Sequence, residues 1–173
     1  MTTIPGTRVE VTAQRTFPRG SALARTARLG IIVERAEALV DLTGSVRELV
    51  AGSGVDEGTV QLYCGHTTCG LLINESDPGL ETDLGRALER LLPHSGHHPY
   101  AHDKHRTPAE RLLHGERDNG HAHLRTQLTT HPELNIPVTE GALHLGRWQA
   151  VLLAEYDGPR TRELLVRIID LGR

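Results

Sequence analysis

Apolar and polar residues alternate over residues 59–66 in a way that predicts a strand. Val60, Leu62 and Cys64 form one row of the alternation, and His66 continues that row at its end. A period of two places the row on the face of a sheet that packs against a core. Further apolar runs bounded by turn residues predict strands over residues 135–139, 142–145, 148–156 and 163–170. We expect the last two to form an antiparallel hairpin.

Helical spacing is clearest over residues 77–92. Asp77 followed by Pro78 is a strong helix start, because Asp accepts a hydrogen bond from a free amide and Pro needs no donor there. Leucines recur on one face, and Pro93 ends the pattern. With short helices predicted over residues 45–52 and 121–128, we expect an α+β fold of largely antiparallel sheets, sandwich-like, with a few helices.

The pattern also predicts how the chain divides. Residues 1–29 lack sustained periodicity, so we expect an irregular lead-in with a short strand near residues 8–12, followed by a single domain over residues 30–173. Residues 93–120 contain few apolar positions and several Pro and Gly residues, which predicts a long loop around at most one helical turn. Long loops inside compact domains are often functional.

Composition narrows the partners. The 173 residues carry a formal net charge of −3, and the basic residues are scattered, which argues against nucleic acid. No apolar stretch approaches the roughly 20 residues that span a bilayer, and no apolar secretory segment opens the chain, so we expect a cytoplasmic protein away from membranes. Cys64 and Cys69 are five apart, which on one strand would place them on opposite faces, so we expect free thiols and a reducing compartment.

Histidine is the chemically informative residue type. Eleven are present, eight of them between His94 and His123. His66 ends a core-facing row, while His102 and His123 lie beside acidic residues, so we predict a divalent-metal site on these three. Three imidazoles suit zinc and leave one coordination position open. Alternatives are a buried, hydrogen-bonded His66 with two loop histidines, or a local ligand set of Cys64, His66 and Cys69.

Candidate companions of the metal are two carboxylates and an arginine. Glu75 follows a predicted strand, and Glu155 ends an apolar run, so either is a candidate for proton transfer. A charge beside an apolar run needs a partner, and Arg160 or Arg162 could supply a salt bridge to Glu155 instead. Arg160 is also the candidate for neutralising an anionic oxygen of the substrate.

Four motifs in order carry a resemblance to a known family. They are HTT at 66–68 with LLINE at 71–75, NGHAH at 119–123, GRWQ at 146–149 and DGPR at 157–160. In these the chain resembles the YjbQ-type family, also called the secondary thiamine-phosphate synthase family, over roughly residues 39–169.

This resemblance implies an α+β fold, a homotrimer and a metal-binding pocket lined by histidines. It also implies a transferase activity like that of thiamine-phosphate synthase, which joins a pyrimidine methyl diphosphate to a thiazole phosphate and releases pyrophosphate. Cys64, Cys69 and the long loop over residues 94–117 depart from the plainer family members. Because of that loop, His105 is an alternative to His102 as the ligand that the resemblance implies.

Three functions follow as hypotheses. The first is an enzyme in which a metal on His66, His102 and His123 acts as a Lewis acid on a small phosphorylated metabolite. The second is a metal-dependent hydrolase of a small phosphorylated or acylated metabolite, since no glycine-rich phosphate loop is present. The third is a non-catalytic trimeric protein that binds a metal or another ligand.

Overall fold

The computed structural model describes residues 6–19, 22–105, 107–115 and 117–172. Along the chain the strands are β1 (Thr7–Arg19), β2 (Ala22–Val33), β3 (Ala38–Asp41), β4 (Gly58–Cys64), β5 (Cys69–Asn74), β6 (Glu133–Thr139), β7 (Ala142–Leu143), β8 (Ala150–Glu155) and β9 (Arg160–Asp170). The helices are α1 (Thr43–Ser53), α2 (Pro78–Leu91), α3 (Ala101–Lys104), α4 (Pro108–His114) and α5 (Gly120–Thr129).

The strands form two sheets. The larger has the order β1-β2-β9-β4-β6-β7, and the smaller has the order β3-β8-β5. Every pairing between these strands is antiparallel. The predicted α+β class with antiparallel sheets is therefore confirmed.

The core lies between the sheets and is aliphatic. Strands of the larger sheet contribute Leu29, Leu62 and Val166, and strands of the smaller sheet contribute Leu71 and Leu153, all of them buried. Alternate residues of β4 and β9 point inward, as the period-two pattern predicts. Burial of these side chains is the main favourable contribution to folding.

Helix α2 begins and ends close to its predicted positions. The Asp77 side chain accepts a hydrogen bond from the amide of Leu80 at 2.7 Å, and Pro78 is the first helical residue. The last helical residue is Leu91, two before Pro93. Leu88 is the buried residue of the helix, and it packs near Ala122 and Tyr156 in a second, smaller apolar cluster.

The N-terminal region differs from the prediction. Residues 7–19 and 22–33 are the paired strands β1 and β2, not an irregular lead-in, and residues 1–5 lie outside the described part of the chain. Strand β2 pairs with β9 from Ala24 through Val33, so it crosses the predicted boundary at residue 30. The weak periodicity has a physical cause: β1 lies at the sheet edge and much of it is exposed.

Two further expectations change. β8 and β9 do not form a hairpin, because β8 pairs with β3 and β5 while β9 belongs to the larger sheet. The turn over residues 156–159 instead carries the chain from one sheet to the other. Within residues 93–120 the structure has two short helices, α3 and α4, where one turn was expected.

The two cysteines are buried, free thiols. Cys64 ends β4 and Cys69 begins β5, so they do not share one strand, and their Sγ atoms lie 3.6 Å apart. The opposite-face expectation was therefore wrong, because the chain turns between them. In the part of the chain that is described, no helix combines the length and apolar character needed to cross a membrane.

Candidate functional site

His102 and His123 are brought together by α3 and the start of α5. Their ring centroids lie 4.4 Å apart with an interplanar angle of 41°. The approach of the two helices depends on Gly120, where a Cβ atom would come within 2.6 Å of the Tyr100 Cβ. His105 is exposed at the end of α3. The structure thus places His102, twenty-one residues away in sequence, against His123.

Asp103 ties the two helices together beside this histidine pair. Its Oδ1 accepts hydrogen bonds from the backbone amides of Asn119 at 3.1 Å and Gly120 at 2.8 Å. Its Oδ2 is buried and has no hydrogen-bond partner among the described residues. A buried oxygen left without a donor is costly, so it is suited to a cation or a ligand that donates to it.

Asp157 gathers cationic and amide groups next to the start of α5. The Asn119 side chain donates to its carboxylate at 3.1 Å, and Arg160 does so at 2.8 Å. Arg117 adds an ion pair at 3.2 Å. Arg160 is 35% exposed, so it retains access to solvent while Asp157 fixes its orientation. Arginine held in this way is suited to bind an anionic oxygen.

His66 lies in the turn that follows β4 and is half-buried. Its Nε2 accepts a hydrogen bond from the backbone amide of Glu163 at 3.2 Å. Burial lowers the pKa of this imidazole, and the positive charge of Arg162 lowers it further. Glu163 is three residues from Arg160 on β9, so this hydrogen bond holds His66 against the strand that carries the predicted anion-binding arginine.

Glu155 pairs with Arg162, not with Arg160. Arg162 donates to both carboxylate oxygens, at 2.5 and 2.7 Å, and the amide of Asp157 donates to Oε1 at 2.7 Å. Glu155 is fully buried. The salt-bridge alternative thus describes this residue better than proton transfer. Glu75 is exposed after β5, where it lines a small cavity of about 90 Å³ with Asp41 and Asp77.

A different cluster has the spacing of a metal site. Among the described residues, Glu37, His94 and His121 form the one group of at least three metal-ligand side chains whose ligand atoms lie within 4.8 Å of one another. His66, His102 and His123 do not form such a group, and neither do Cys64, His66 and Cys69. The ligand set His66, His102 and His123 therefore stays a prediction.

Each member of the cluster comes from a different part of the fold. Glu37 lies in the loop before β3, His94 follows α2, and His121 lies in the first turn of α5. The His94 and His121 ring centroids are 4.6 Å apart, and His94 Nε2 lies 2.9 Å from Glu37 Oε1. The glycine of the DGPR turn fixes the loop, since Gly158 donates to the Ala36 carbonyl at 2.8 Å.

Arg125 and Glu89 support this cluster from α5 and α2. Arg125 is completely buried, donates to the Glu89 carboxylate and the Leu92 carbonyl at 2.7 Å, and also contacts Glu37. Burial acts to raise the pKa of Glu89, but hydrogen bonds from Arg125 and His94 outweigh it and lower the pKa to about 2. Glu89 therefore remains a carboxylate at neutral pH.

The imidazole of His121 is held neutral. Burial lowers its pKa to about 4, with further contributions from the charges of His94 and Arg125. Its Nδ1 lies 3.0 Å from the Ser95 hydroxyl. A neutral imidazole keeps a lone pair for a metal, whereas a protonated one does not.

A cavity of about 340 Å³ adjoins the cluster. Its lining includes Arg35, Glu37, Leu88, Arg86 and Tyr156. The wall combines apolar and charged groups, which is typical of small-molecule sites. Glu37 belongs both to this wall and to the metal-ligand cluster.

The sequence contained only part of the signal for this cluster. His121 lies in the NGHAH motif, but His94 stands among other loop histidines, and Glu37 lies 57 positions before it. Three segments so far apart carry no local spacing that identifies a ligand set. The available signal was the unusual number of histidines, and it did not select these two.

An α+β sandwich with candidate metal sites is the class of protein that this fold and these side chains define. The profile of the UPF0047 protein YjbQ-like family matches residues 28–171. The chain belongs to this family, as the sequence motifs predicted.

Individual relatives agree. The UPF0047 protein YugU of Bacillus subtilis is 30% identical over 142 residues, covering 82% of this chain and 96% of the relative. A UPF0047 protein of Archaeoglobus fulgidus is 34% identical over 131 residues, covering 76% and 90%.

Solved structures show the same fold. A hypothetical protein from Aeropyrum pernix K1 is 32% identical, with a TM-score of 0.70, and the match covers 86% of this chain and 98% of that one. A protein from Sulfolobus solfataricus P2, described as YbjQ-like and of unknown function, is 29% identical with a TM-score of 0.68, covering 86% and 99%.

Proposed function

We propose that this protein is a divalent-metal-dependent transferase with an activity like that of thiamine-phosphate synthase, and that zinc is its metal. The observation that carries the proposal is the contact of His102 with His123 beside the buried, unpartnered Oδ2 of Asp103. Two imidazoles next to such a carboxylate are suitable donors for zinc. His66 is the third proposed ligand.

The metal would act as a Lewis acid that stabilises negative charge on a phosphate oxygen. The protein's own groups bind and orient the substrate. Arg160, anchored on Asp157, binds a phosphate oxygen of a small phosphorylated metabolite. Asn119 donates to the same carboxylate and so links the arginine to the start of α5, which carries His123.

The proposed reaction is a substitution at carbon. The ring nitrogen of a thiazole phosphate forms a bond to the methylene carbon of a pyrimidine methyl diphosphate, the carbon–oxygen bond breaks, and pyrophosphate leaves with the electron pair. Arg160 is the proposed group that neutralises the leaving oxygen. If a proton must be moved during turnover, Glu75 is the accessible carboxylate, because both oxygens of Glu155 are engaged by hydrogen bonds.

We also propose that the protein assembles as a homotrimer in the cytoplasm. The support for this is the family resemblance in the four sequence motifs. Native mass spectrometry of the purified protein, with and without a chelator, measures both the number of subunits and the number of bound ions. A monomer in both conditions would contradict the proposed assembly.

The experiment that tests the function compares His123→Ala with His131→Ala. His131 is exposed and lies outside the cluster, so it is a matched histidine control. We expect the wild type and His131→Ala to form thiamine phosphate from the two substrates, and His123→Ala to lose activity and the metal ion that His123 ligates while keeping its circular dichroism spectrum.

Two outcomes would replace this proposal. Metal-dependent turnover of generic phosphoesters without reaction of the thiamine-pathway substrates would identify a hydrolase. Metal binding without any turnover would identify a non-catalytic metal- or ligand-binding protein. Full retention of stoichiometric metal by His123→Ala would contradict the ligand assignment itself.

A further inference from the structure

Glu37, His94 and His121 lie where α2, α5 and the loop before β3 meet. We propose that these three residues form a separate binding site for zinc or a similar divalent transition-metal ion. The site uses none of the residues His66, His102 and His123, so it does not depend on the function proposed above. Two imidazoles and one carboxylate are a ligand set that such ions accept, with a coordination position left for water or a small ligand.

The donors already converge without a metal. One ligand atom from each of the three residues lies within 4.8 Å of the other two. The His94 and His121 rings are neighbours at 4.6 Å, and the Glu37 carboxylate reaches His94 Nε2 at 2.9 Å. An ion about 2.0 to 2.2 Å from each donor fits a triangle of this size after small side-chain movements.

A second carboxylate orients His94 from behind. Glu89 Oε2 lies 2.5 Å from His94 Nδ1, whereas Glu37 lies at the other ring nitrogen, Nε2. A histidine ligand that donates from one nitrogen to a carboxylate and offers the other to the metal is a recurrent arrangement in metal sites. Glu89 is itself fixed by Arg125. His94 is therefore positioned by Glu89, which is in turn held by the fully buried Arg125.

The local charge favours a dication. With neutral imidazoles, the carboxylates Glu37 and Glu89 carry two negative charges, and Arg125 contributes one positive charge. The surroundings thus retain a net charge of −1. Arg125 prevents the two carboxylates from repelling each other when the metal is absent, and it leaves one negative charge for the metal to neutralise.

An ion-paired His94 explains only part of this cluster. A protonated His94 between Glu37 and Glu89 would account for their two contacts. It does not account for the second imidazole, since His121 is 7% exposed and lies directly beside His94. A metal uses both rings. The cavity that shares Glu37 offers space for water or a small ligand beside the ion.

The two histidines of the NGHAH motif serve different sides of α5. Successive helical residues are rotated by about 100°, so His121 and His123 point about 200° apart around the axis. The contacts agree with this geometry, because His121 lies against His94 and His123 lies against His102. Replacing either histidine therefore tests one site and leaves the other ligand set complete.

Zinc titration of the chelator-stripped full-length protein tests the proposal. We expect calorimetry to detect an ion whose affinity falls at least tenfold in His121→Ala and in His94→Gln, since even supporting residues of metal sites contribute 10- to 100-fold. Glu89→Gln should weaken binding by roughly tenfold for the same reason. His97→Ala is the matched control, because His97 is 76% exposed and lies 3.5 Å from Glu89.

The test depends on which variants lose the zinc ion. Retention of this zinc in His102→Ala and His123→Ala, with its loss in His94→Gln, supports the proposal. Loss of all zinc in His123→Ala with full binding in His94→Gln overturns it, as does the absence of zinc binding by the wild type. Circular dichroism of each metal-free variant shows that it is folded, and His94→Gln keeps a half-buried position filled if His121→Ala is unstable.

Discussion

Arg162 and Arg125 are both buried arginines, but their surroundings differ. Arg162 binds both oxygens of Glu155 and the Thr68 hydroxyl, and the amide of Asp157 also donates to Glu155. This group is a closed set of donors and acceptors beside the sheets. Arg125 instead joins two partly exposed carboxylates that also contact a histidine, next to a cavity.

The difference shows how to separate a structural ion pair from a candidate site. In the Glu155 pair the contacts with Arg162 and a backbone amide occupy both carboxylate oxygens, so the charges stabilise the junction of β8 and β9 and are not available to a ligand. In the Arg125 network, imidazole nitrogens remain close enough to bind an ion together. Burial alone does not distinguish the two regions, whereas the convergence of at least three metal-ligand side chains does.

The largest expected effect on stability concerns the buried ion pair of Glu155 and Arg162. Glu155→Gln leaves Arg162 as a buried, uncompensated charge, which should lower the free energy of unfolding by about 3–5 kcal/mol. Glu75→Gln is the control, because Glu75 is exposed and should change stability by no more than about 0.5 kcal/mol. Urea denaturation measures both. Equal effects of the two substitutions would show that Glu155 is not the structural member of the comparison.

A smaller effect on stability should come from zinc binding in the Arg125 network, at Glu37, His94 and His121. Binding to the folded state alone stabilises it, by about 2.7 kcal/mol at a free concentration one hundred times the dissociation constant. We expect the ion at Glu37, His94 and His121 to contribute this increment in the wild type, and His94→Gln to lose that contribution while keeping the contribution of an ion at His123. Thermal or urea denaturation is the readout. The Glu155 pair contains no imidazole, so Glu155→Gln should keep the increment. An unchanged increment in His94→Gln would remove the distinction between the two networks.

The smallest expected effect on stability concerns α2, the helix that carries Glu89 and precedes His94. Asp77→Ala removes the side-chain cap at Leu80 and should cost about 1 kcal/mol of stability. Asp83→Ala, on the exposed surface of the same helix, is the control and should change stability by no more than about 0.5 kcal/mol. Chemical denaturation resolves the difference, and equal values would argue that the cap does not stabilise the helix.

Local sequence signals predicted the elements that local physics determines. Helix α2 follows from Asp77, Pro78 and the leucine spacing, because a cap and an apolar stripe act within one segment. The hairpin of β6 and β7 follows from Glu140 and Gly141, which adopt positive φ at 52° and 73°. Both predictions required only neighbouring residues.

The same local signals do not predict which sheet each strand joins. The turn after Glu155 reads as a hairpin connection, but β8 and β9 belong to different sheets because each has other partners along its whole length. The edge strand β1 is longer than the short strand expected near residues 8–12, for a related reason. Most described side chains of β1 are exposed, so apolar and polar residues do not alternate clearly along it. Its extended conformation depends on pairing with β2.

The candidate sites show the same limit. The sequence predicts His102 and His123 together with His66 as metal ligands, and of these three the structure shows the His102 and His123 rings in contact. Glu37 and His94 were not selected, since nothing near either residue predicts that the loop before β3 and the end of α2 meet. Assembly of that cluster depends on the buried Arg125, whose partners come from the loop before β3 and from the end of α2.

His121 and His123 lie on opposite sides of α5, and this limits which sequence changes the helix can accept. Substitution at His121 or His123 alters one face of the helix and leaves the other intact. A single-residue insertion or deletion between Asn119 and His121 would rotate everything after it by about 100° relative to the Asp103 anchor. Both imidazoles would then leave their neighbours together, so a change of length at the start of α5 should disrupt both candidate sites, whereas a substitution of His121 or His123 disrupts only one.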